Sequence, residues 1–490
     1  MGESWPRAFL ESRRTLWIVS ILTIILFLVT NLPWQLDDYD QAKQAFTSFE
    51  MVKEGHWLYQ QTPHERVATK PPLVGWISAG FFLPTQSWDT AWRLPSFLAA
   101  LAISILLFLA AATAYGRSAG LLALSAFGFN LLSPRIATLV RTDMPLAVII
   151  FLLGLLIWQK IRKREEWNSR NCRSIFVLLT AAMLIKGPIV YAFLLPGIAA
   201  FQWWWRKRKA VSAWCGWWPW IASLGVFLLW VTGGIFSEPD FFNQVVMREF
   251  LARFGETLHR PHPLFFYVPH LLHKFFPWSV LMIVATIVDL RSRQWKIRAA
   301  FREVSPETFW LVCWTLGGLI AMSLIPSKRV DRIFPLIPPL CLLLATQIGR
   351  ISPDEQLRER LCRWSAAALL LSILFTSGYT ISKVISGYRG HRNALVAFGH
   401  AVRDEAAAHH WRYEAIAGSD EGMLLYLQRT RFIEPERAVA QWNRGNLDAL
   451  VVPAEDAPDL MRELRDAALS QLKPGERKDQ RGMGYVLITR

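Results

Sequence analysis

The feature that most constrains this chain is a repeated alternation: apolar runs about as long as a membrane's hydrocarbon core, separated by short loops rich in Lys and Arg. In hydrocarbon, only a helix or a closed barrel satisfies its own backbone, and continuous apolar runs of this length predict helices. The first runs from Leu16 to about Leu32 behind Arg7, Arg13 and Arg14. It is too long for a signal-peptide core and no small-residue cleavage pattern follows, so it is expected to stay as an anchor with its basic end in the cytoplasm.

Further spans are expected near Leu94–Ala114, Ala119–Leu132 and Met144–Trp158. The run from Ser174 to Trp205 is too long for one span and breaks at Lys186-Gly187-Pro188, which predicts two short ones. Others follow near Trp214–Phe236, from Pro277-Trp278, and near Thr308–Ile325, Ile333–Ile348 and Trp364–Ile385. The reading is a polytopic α-helical membrane protein of roughly eleven spans, N-terminus cytoplasmic and C-terminus extracytoplasmic. Basic loops such as Lys160 to Arg164 and Arg206 to Lys209 mark the inner side.

Composition agrees. Hydrophobic residues make up 53% of the chain, with 24 Trp and 30 Phe, which rules out a soluble class. The net charge of +16 lies in the short loops, as positive-inside topology requires, and not in a nucleic-acid-binding patch. Five cysteines fall in or beside apolar runs without paired spacing, so neither a disulfide framework nor a zinc site is indicated.

Two expected extracytoplasmic stretches are polar, residues 35–92 and about 237–276, and a cationic turn runs from Ser327 to Arg332. Residues 1–389 then form a membrane domain, with 35–92 as its first outer loop. Residues 390–490 read as a small extracytoplasmic α/β domain, with strands at Leu450–Val452 and Tyr485–Thr489 and a helical pattern near Leu460–Leu472. The loop carries Asp37, Asp38 and Asp40 at the foot of the first span, and Lys70 held in extended backbone by Pro71 and Pro72. An acid and a fixed cation beside a membrane point to chemistry on an anionic, lipid-borne substrate.

Asp40, Glu50-Met51, Gly55, Trp57, Lys70-Pro71-Pro72 and Trp76 resemble the first outer loop of the GT-C glycosyltransferases. The branch is the bacterial aminoarabinose transferases, within the protein O-mannosyltransferase superfamily. The resemblance implies inverting transfer of a sugar from a polyprenyl-phosphate donor to a lipid, glycan or protein acceptor outside the cytoplasmic membrane, with membrane lipids as surroundings and no nucleic-acid partner. It implies Asp40 as general base, against a plain role capping a helix from Gln41 to Lys53. It implies Lys70 as a donor-phosphate ligand, against a snorkelling lysine. Lys328, Arg329 and Arg332, outer cations against the positive-inside trend, need an anion, either donor phosphate or lipid headgroups.

Other candidates carry two readings each. Asp37 and Asp38 are solvated or catalytic; Arg141 and Asp143 form a local ion pair or touch substrate; Lys186 binds ligand or anchors helices. His259 and His262 align loosely with a family loop. Where relatives of this branch hold a divalent ion with an acid before the Lys-Pro step and a histidine later, this chain has Thr69 and Phe250, so no metal and no other cofactor is expected. A polytopic transporter or flippase, a glycan ligase and a non-catalytic relative are the competing readings.

Overall fold

The structure, a computed structural model, describes residues 5–490 except 37–38, 65, 206–211, 252–261, 293, 296–303, 350–354, 417–420 and 477–483. All the apolar runs are helical: Arg13–Val29, Trp88–Tyr115, Arg117–Gly128, Asp143–Lys163, Ser169–Lys186, Ile189–Trp205, Trp218–Ser237, Trp278–Ser292, Pro306–Leu324, Val330–Gly349 and Glu355–Arg389. Six described helices are long and apolar enough to cross a membrane alone. Two bent pairs, Trp5–Glu11 with Arg13–Val29 and Leu264–Lys274 with Trp278–Arg291, bring the number to eight if each is one span. The helix where the third span was expected, Arg117–Gly128, has only 12 residues and is buried from Ala119 to its end. At about 18 Å it falls short of a bilayer, and it is apolar because protein surrounds it.

Burial separates centre from rim. The apolar windows of Asp143–Lys163 and Val330–Gly349 are 72% buried, whereas those of Trp218–Ser237 and Glu355–Arg389 are only 28% buried and turn apolar faces outward. Trp203, Trp204, Trp217 and Trp218 are exposed at helix ends, where indole rings favour a membrane interface.

Within 35–92, two helices precede the start of Trp88–Tyr115, and the first of them covers the helix expected from Gln41 to Lys53. Tyr39–Glu54 is the first, and Leu73–Thr85 is an apolar helix of 13 residues that the polar flanks concealed. Asp40 lies inside the first turn of Tyr39–Glu54 and does not cap it from outside, which corrects the capping reading.

The C-terminal residues form a four-stranded sheet in the order β1-β2-β4-β3: Tyr413–Ala415, Ala449–Pro453, Tyr485–Thr489 and Ala468–Leu469. β1 runs parallel to β2, and β4 is antiparallel to both β2 and β3. The helix expected across 460–472 ends at Glu463, and β3 takes up part of the remainder, paired with β4. One apolar core joins this unit to the first loop: Leu36, Phe46 and Phe49 are buried with Phe398, Met423 and Leu424. Tyr426 Oη accepts from Leu36 N at 2.7 Å, and Thr430 donates to Glu54 at 2.7 Å.

Helix contact at the bundle centre depends on missing side chains. A Cβ on Gly317 would lie 2.5 Å from Gly197 N, backbone against backbone, where no rotamer change gives relief. Gly317→Ala is therefore expected to separate Ile189–Trp205 from Pro306–Leu324 and to destabilise the protein by roughly 1–3 kcal/mol. Thermal unfolding in detergent checks this, with Gly80→Ala, inside Leu73–Thr85 where a Cβ would meet nothing within 4 Å, as the control expected to keep or slightly raise stability.

Candidate active site

Several helix ends converge on Asp40. Asp143–Lys163 begins there, Ser169–Lys186 ends there, and Arg329 precedes the short 3-10 helix Val330–Leu336. Gly187, at φ +70° and ψ −158°, turns the chain directly after Lys186, a backbone conformation that L side chains rarely adopt. Lys70 arrives through a narrow turn closed by Ala68 N donating to Gln60 O and Thr62 N to Arg66 O, both at 2.7 Å.

The side chains interlock. Arg329 Nη1 is 2.6 Å from Asp40 Oδ2, and Arg141 Nη2 is 3.7 Å from the same oxygen. Arg141 Nη1 donates to Asp331 Oδ2 at 2.8 Å, and Lys186 Nζ to Asp143 Oδ1 at 2.5 Å. Lys70 and Arg141 also lie within electrostatic reach of Asp143, and Lys70 within that of Asp40. Arg141 thus turns to Asp331 and Asp40 while Asp143 takes Lys186, so the local Arg141–Asp143 pair is replaced by longer-range partners. Among these described residues four cations face three carboxylates, leaving positive charge in excess.

Burial alone would raise the Asp40 carboxyl. Lys70, Arg329 and Arg141 outweigh it and hold Asp40 below the usual carboxylate range. An acid so held is ionised at neutral pH and is a weak proton acceptor. A divalent cation placed at Asp40 would meet the charges of Lys70, Arg329 and Arg141 on several sides. No group of three or more His, Cys, Asp or Glu side chains suited to a metal occurs among the described residues.

The other cations of the Ser327–Arg332 turn point elsewhere. Lys328 is buried, donates to His262 O at 3.0 Å, and burial lowers its pKa. Arg332 donates to the carbonyl and hydroxyl of Ser327. His262 stacks on Phe266. Asp37, Asp38 and His259 lie outside the described residues, as does the side chain of Phe250.

Asp331 lies in the cationic Ser327–Arg332 turn, where the sequence assigns it no role, and its bond to Arg141, 190 residues away in sequence, brings it to the site. The remaining residues of the loop motif are framework. Gly55, at φ +84°, ends Tyr39–Glu54; Trp76 Nε1 donates to Trp57 O at 2.7 Å; Met51 packs where a Cβ on Gly75 would be.

The family model described as dolichyl-phosphate-mannose-protein mannosyltransferase matches residues 69–234. The undecaprenyl phosphate-α-4-amino-4-deoxy-L-arabinose arabinosyl transferase of Shewanella sediminis is 25% identical over 380 residues, 76% of this chain and 66% of its own length. A protein of the same name from Sodalis glossinidius is 27% identical over 68% of this chain and 58% of its own length. The chain thus spans somewhat less than two thirds of these relatives. ArnT from Cupriavidus metallidurans, crystallised with undecaprenyl phosphate, superposes with a TM-score of 0.69 at 15% identity, over 96% of this chain and 97% of that one. The chain has the fold of that ArnT structure, the GT-C fold.

An Archaeoglobus fulgidus oligosaccharyltransferase shares this GT-C fold more distantly, with a TM-score of 0.55 at 11% identity, over 93% of this chain and 70% of its own. In the GT-C frame of this chain, Glu50 is a buried carboxylate bonded to His56 Nδ1. Burial raises its pKa, and His56 recovers only part of the shift. The folded state then holds more protons than the unfolded one above the ordinary glutamate pKa of about 4.3, so stability falls as pH rises through the raised native value. Glu50→Gln is expected to remove that decline, measured as melting temperature in detergent at stepped pH.

Proposed function

We propose that the protein is an inverting glycosyltransferase that moves a sugar from a polyprenyl-phosphate donor to an acceptor at the outer face of the cytoplasmic membrane. In this reading it is a multi-pass inner-membrane protein, its N-terminus in the cytoplasm and its C-terminal unit outside with the Asp40 end of the bundle. The observation that carries the reading is a carboxylate ringed by Arg329, Arg141 and Lys70, where helix ends meet, in a fold shared with a transferase crystallised with undecaprenyl phosphate. That cluster suits a substrate with a phosphate leaving group. An acceptor oxygen attacks the anomeric carbon as the bond from that carbon to the phosphate oxygen breaks, and the bonding pair leaves on the polyprenyl phosphate.

Lys70 and Arg329 offer charge-assisted donors for the departing phosphate, whose charge grows in the transition state. Asp40 orients Arg329 and takes the acceptor proton. Because it is a weak base here, the fitting acceptor is one whose nucleophilic oxygen is already acidic, such as a phosphate-bearing glycolipid of the lipid A class; other glycans, lipids and proteins carry less acidic hydroxyls. A transporter would place its ionisable groups at mid-membrane, whereas these sit at helix ends.

Asp40→Asn is expected to lower transfer by about 10²- to 10⁴-fold with the melting temperature held, as loss of a base and of the Arg329 partner requires. Lys70→Ala is expected to weaken use of the donor more than of the acceptor. The assay is sugar transfer by purified protein, with donor and acceptor varied separately; normal rate in Asp40→Asn would remove Asp40 from the chemistry.

The cationic setting of Asp40 also leads to a metal-independent reaction. Activity is expected to survive exhaustive chelation with metal content measured in parallel, while Arg329→Ala lowers the rate by roughly 10²- to 10³-fold, the scale of one lost transition-state donor. Activity lost on chelation and restored by one divalent ion would overturn this.

A further inference from the structure

A second cationic site lies behind the first, in a cavity of about 230 Å³ where Arg93, Arg135, Lys383 and Arg392 converge with Trp34 and Gln41. They come from five parts of the chain: the segment after Arg13–Val29, the starts of Tyr39–Glu54 and Trp88–Tyr115, the turn at Ser133–Ile136, and the end of Glu355–Arg389 with the residues after it. No carboxylate occurs among the described residues that line the cavity. Arg93 is buried, lies 5.2 Å from the Trp34 ring, and reaches Asp89 outside the cavity at 3.4 Å. Lys383 donates to a neutral oxygen, Asn31 Oδ1, at 2.9 Å, while Arg135 and Arg392 lie close enough to repel it.

Three adjacent cations without a carboxylate partner among the described residues raise the energy of the folded chain, and a mobile counter-ion relieves that only weakly in a recess. Guanidinium and ammonium donors approaching one space from several sides match an anion with several oxygens. Lys383 lies near the end of a helix apolar enough to span a membrane, which sets the recess at headgroup depth.

We propose that this cavity binds a phosphate group of a lipid or glycolipid headgroup, separate from the phosphate that the Asp40 cluster would hold. The site adjoins that cluster through neighbouring residues. Gln41 lines the cavity, accepts from Val140 N at 3.2 Å, and follows Asp40 in the chain, while Arg141 follows Val140. The proposal stands apart from the transferase reading, because binding is read without any reaction.

The test uses the full chain in detergent, with retention of dioleoyl phosphatidic acid against dioleoyl phosphatidylcholine read by native mass spectrometry. A Lys70→Gln/Arg329→Gln background removes both phosphate donors assigned to the Asp40 cluster. Phosphatidic acid is expected to bind at least about tenfold more tightly than phosphatidylcholine. The double variant Arg135→Gln/Arg392→Gln is expected to lose about tenfold of that affinity. Arg392 is exposed and Arg135 only half-buried, so the fold is expected to hold, and an unchanged melting temperature checks it. Lys383→Gln supplies an independent variant that keeps a hydrogen-bonding side chain and removes the charge, expected to weaken binding about threefold. Inorganic phosphate that displaces the lipid identifies free phosphate as a sufficient ligand; failure to displace it assigns the site to the intact headgroup. Equal retention of the two lipids, or phosphatidic acid binding unchanged in both the double variant and Lys383→Gln, would overturn the proposal.

Discussion

The arrangement around Asp40 depends on one guanidinium. Arg141 is 7% exposed, and its two terminal nitrogens face Asp331 and Asp40, which lie far apart in the sequence. Removing Asp331, hydrogen-bonded to Arg141 at 2.8 Å and 13% exposed, leaves an uncompensated buried charge at a cost of about 3–5 kcal/mol, whereas Asp40, at 3.7 Å and 30% exposed, contributes far less. The planar fork of arginine lets one side chain hold two carboxylates in fixed relation, which a lysine cannot do. The Asp40 helix, the Ser327–Arg332 turn and the start of Asp143–Lys163 are therefore fixed to one another by charge before any substrate arrives.

Such a network survives only if the helix carrying Asp40 keeps its place. Tyr39–Glu54 is amphipathic, and its apolar face meets the C-terminal unit on one side and Trp88 and Trp92 on the other. Trp92 Nε1 donates to Ser48 Oγ at 3.0 Å, and Tyr426 accepts from the backbone just before the helix. A Cβ on Gly422 would lie 2.6 Å from Leu36 O, so the two segments meet with no side chain between them. The C-terminal unit thus acts as a clamp on the segment that presents Asp40, a role its soluble-looking sequence does not announce.

Much of the scaffold could be read directly. Apolar runs must be helical in hydrocarbon, and cations cluster where a chain turns at a membrane surface, so the helices and most of their breaks follow from hydropathy and charge. Arg117–Gly128 departs from that pattern because a helix enclosed by protein and one enclosed by lipid are equally apolar. Leu73–Thr85 was hidden for the opposite reason, since polar flanks make a short apolar helix look like part of a loop. Of the loop motif, Gly55, Trp57 and Trp76 proved to be turn and brace, and Asp40 and Lys70 the charged groups.

By itself the sequence determined a polytopic helical protein with an acid and a proline-held cation at the foot of its first span, because hydropathy, proline stereochemistry and charge are local properties. Tertiary structure alone decided that Arg329 meets Asp40 while Lys328 and Arg332 turn to other partners, and that Arg141 takes Asp331 in place of its neighbour Asp143. Neighbouring cations on one turn are chemically alike in sequence. Only the direction in which the packed backbone points each one, and the carboxylate that another part of the chain brings within reach, separates them.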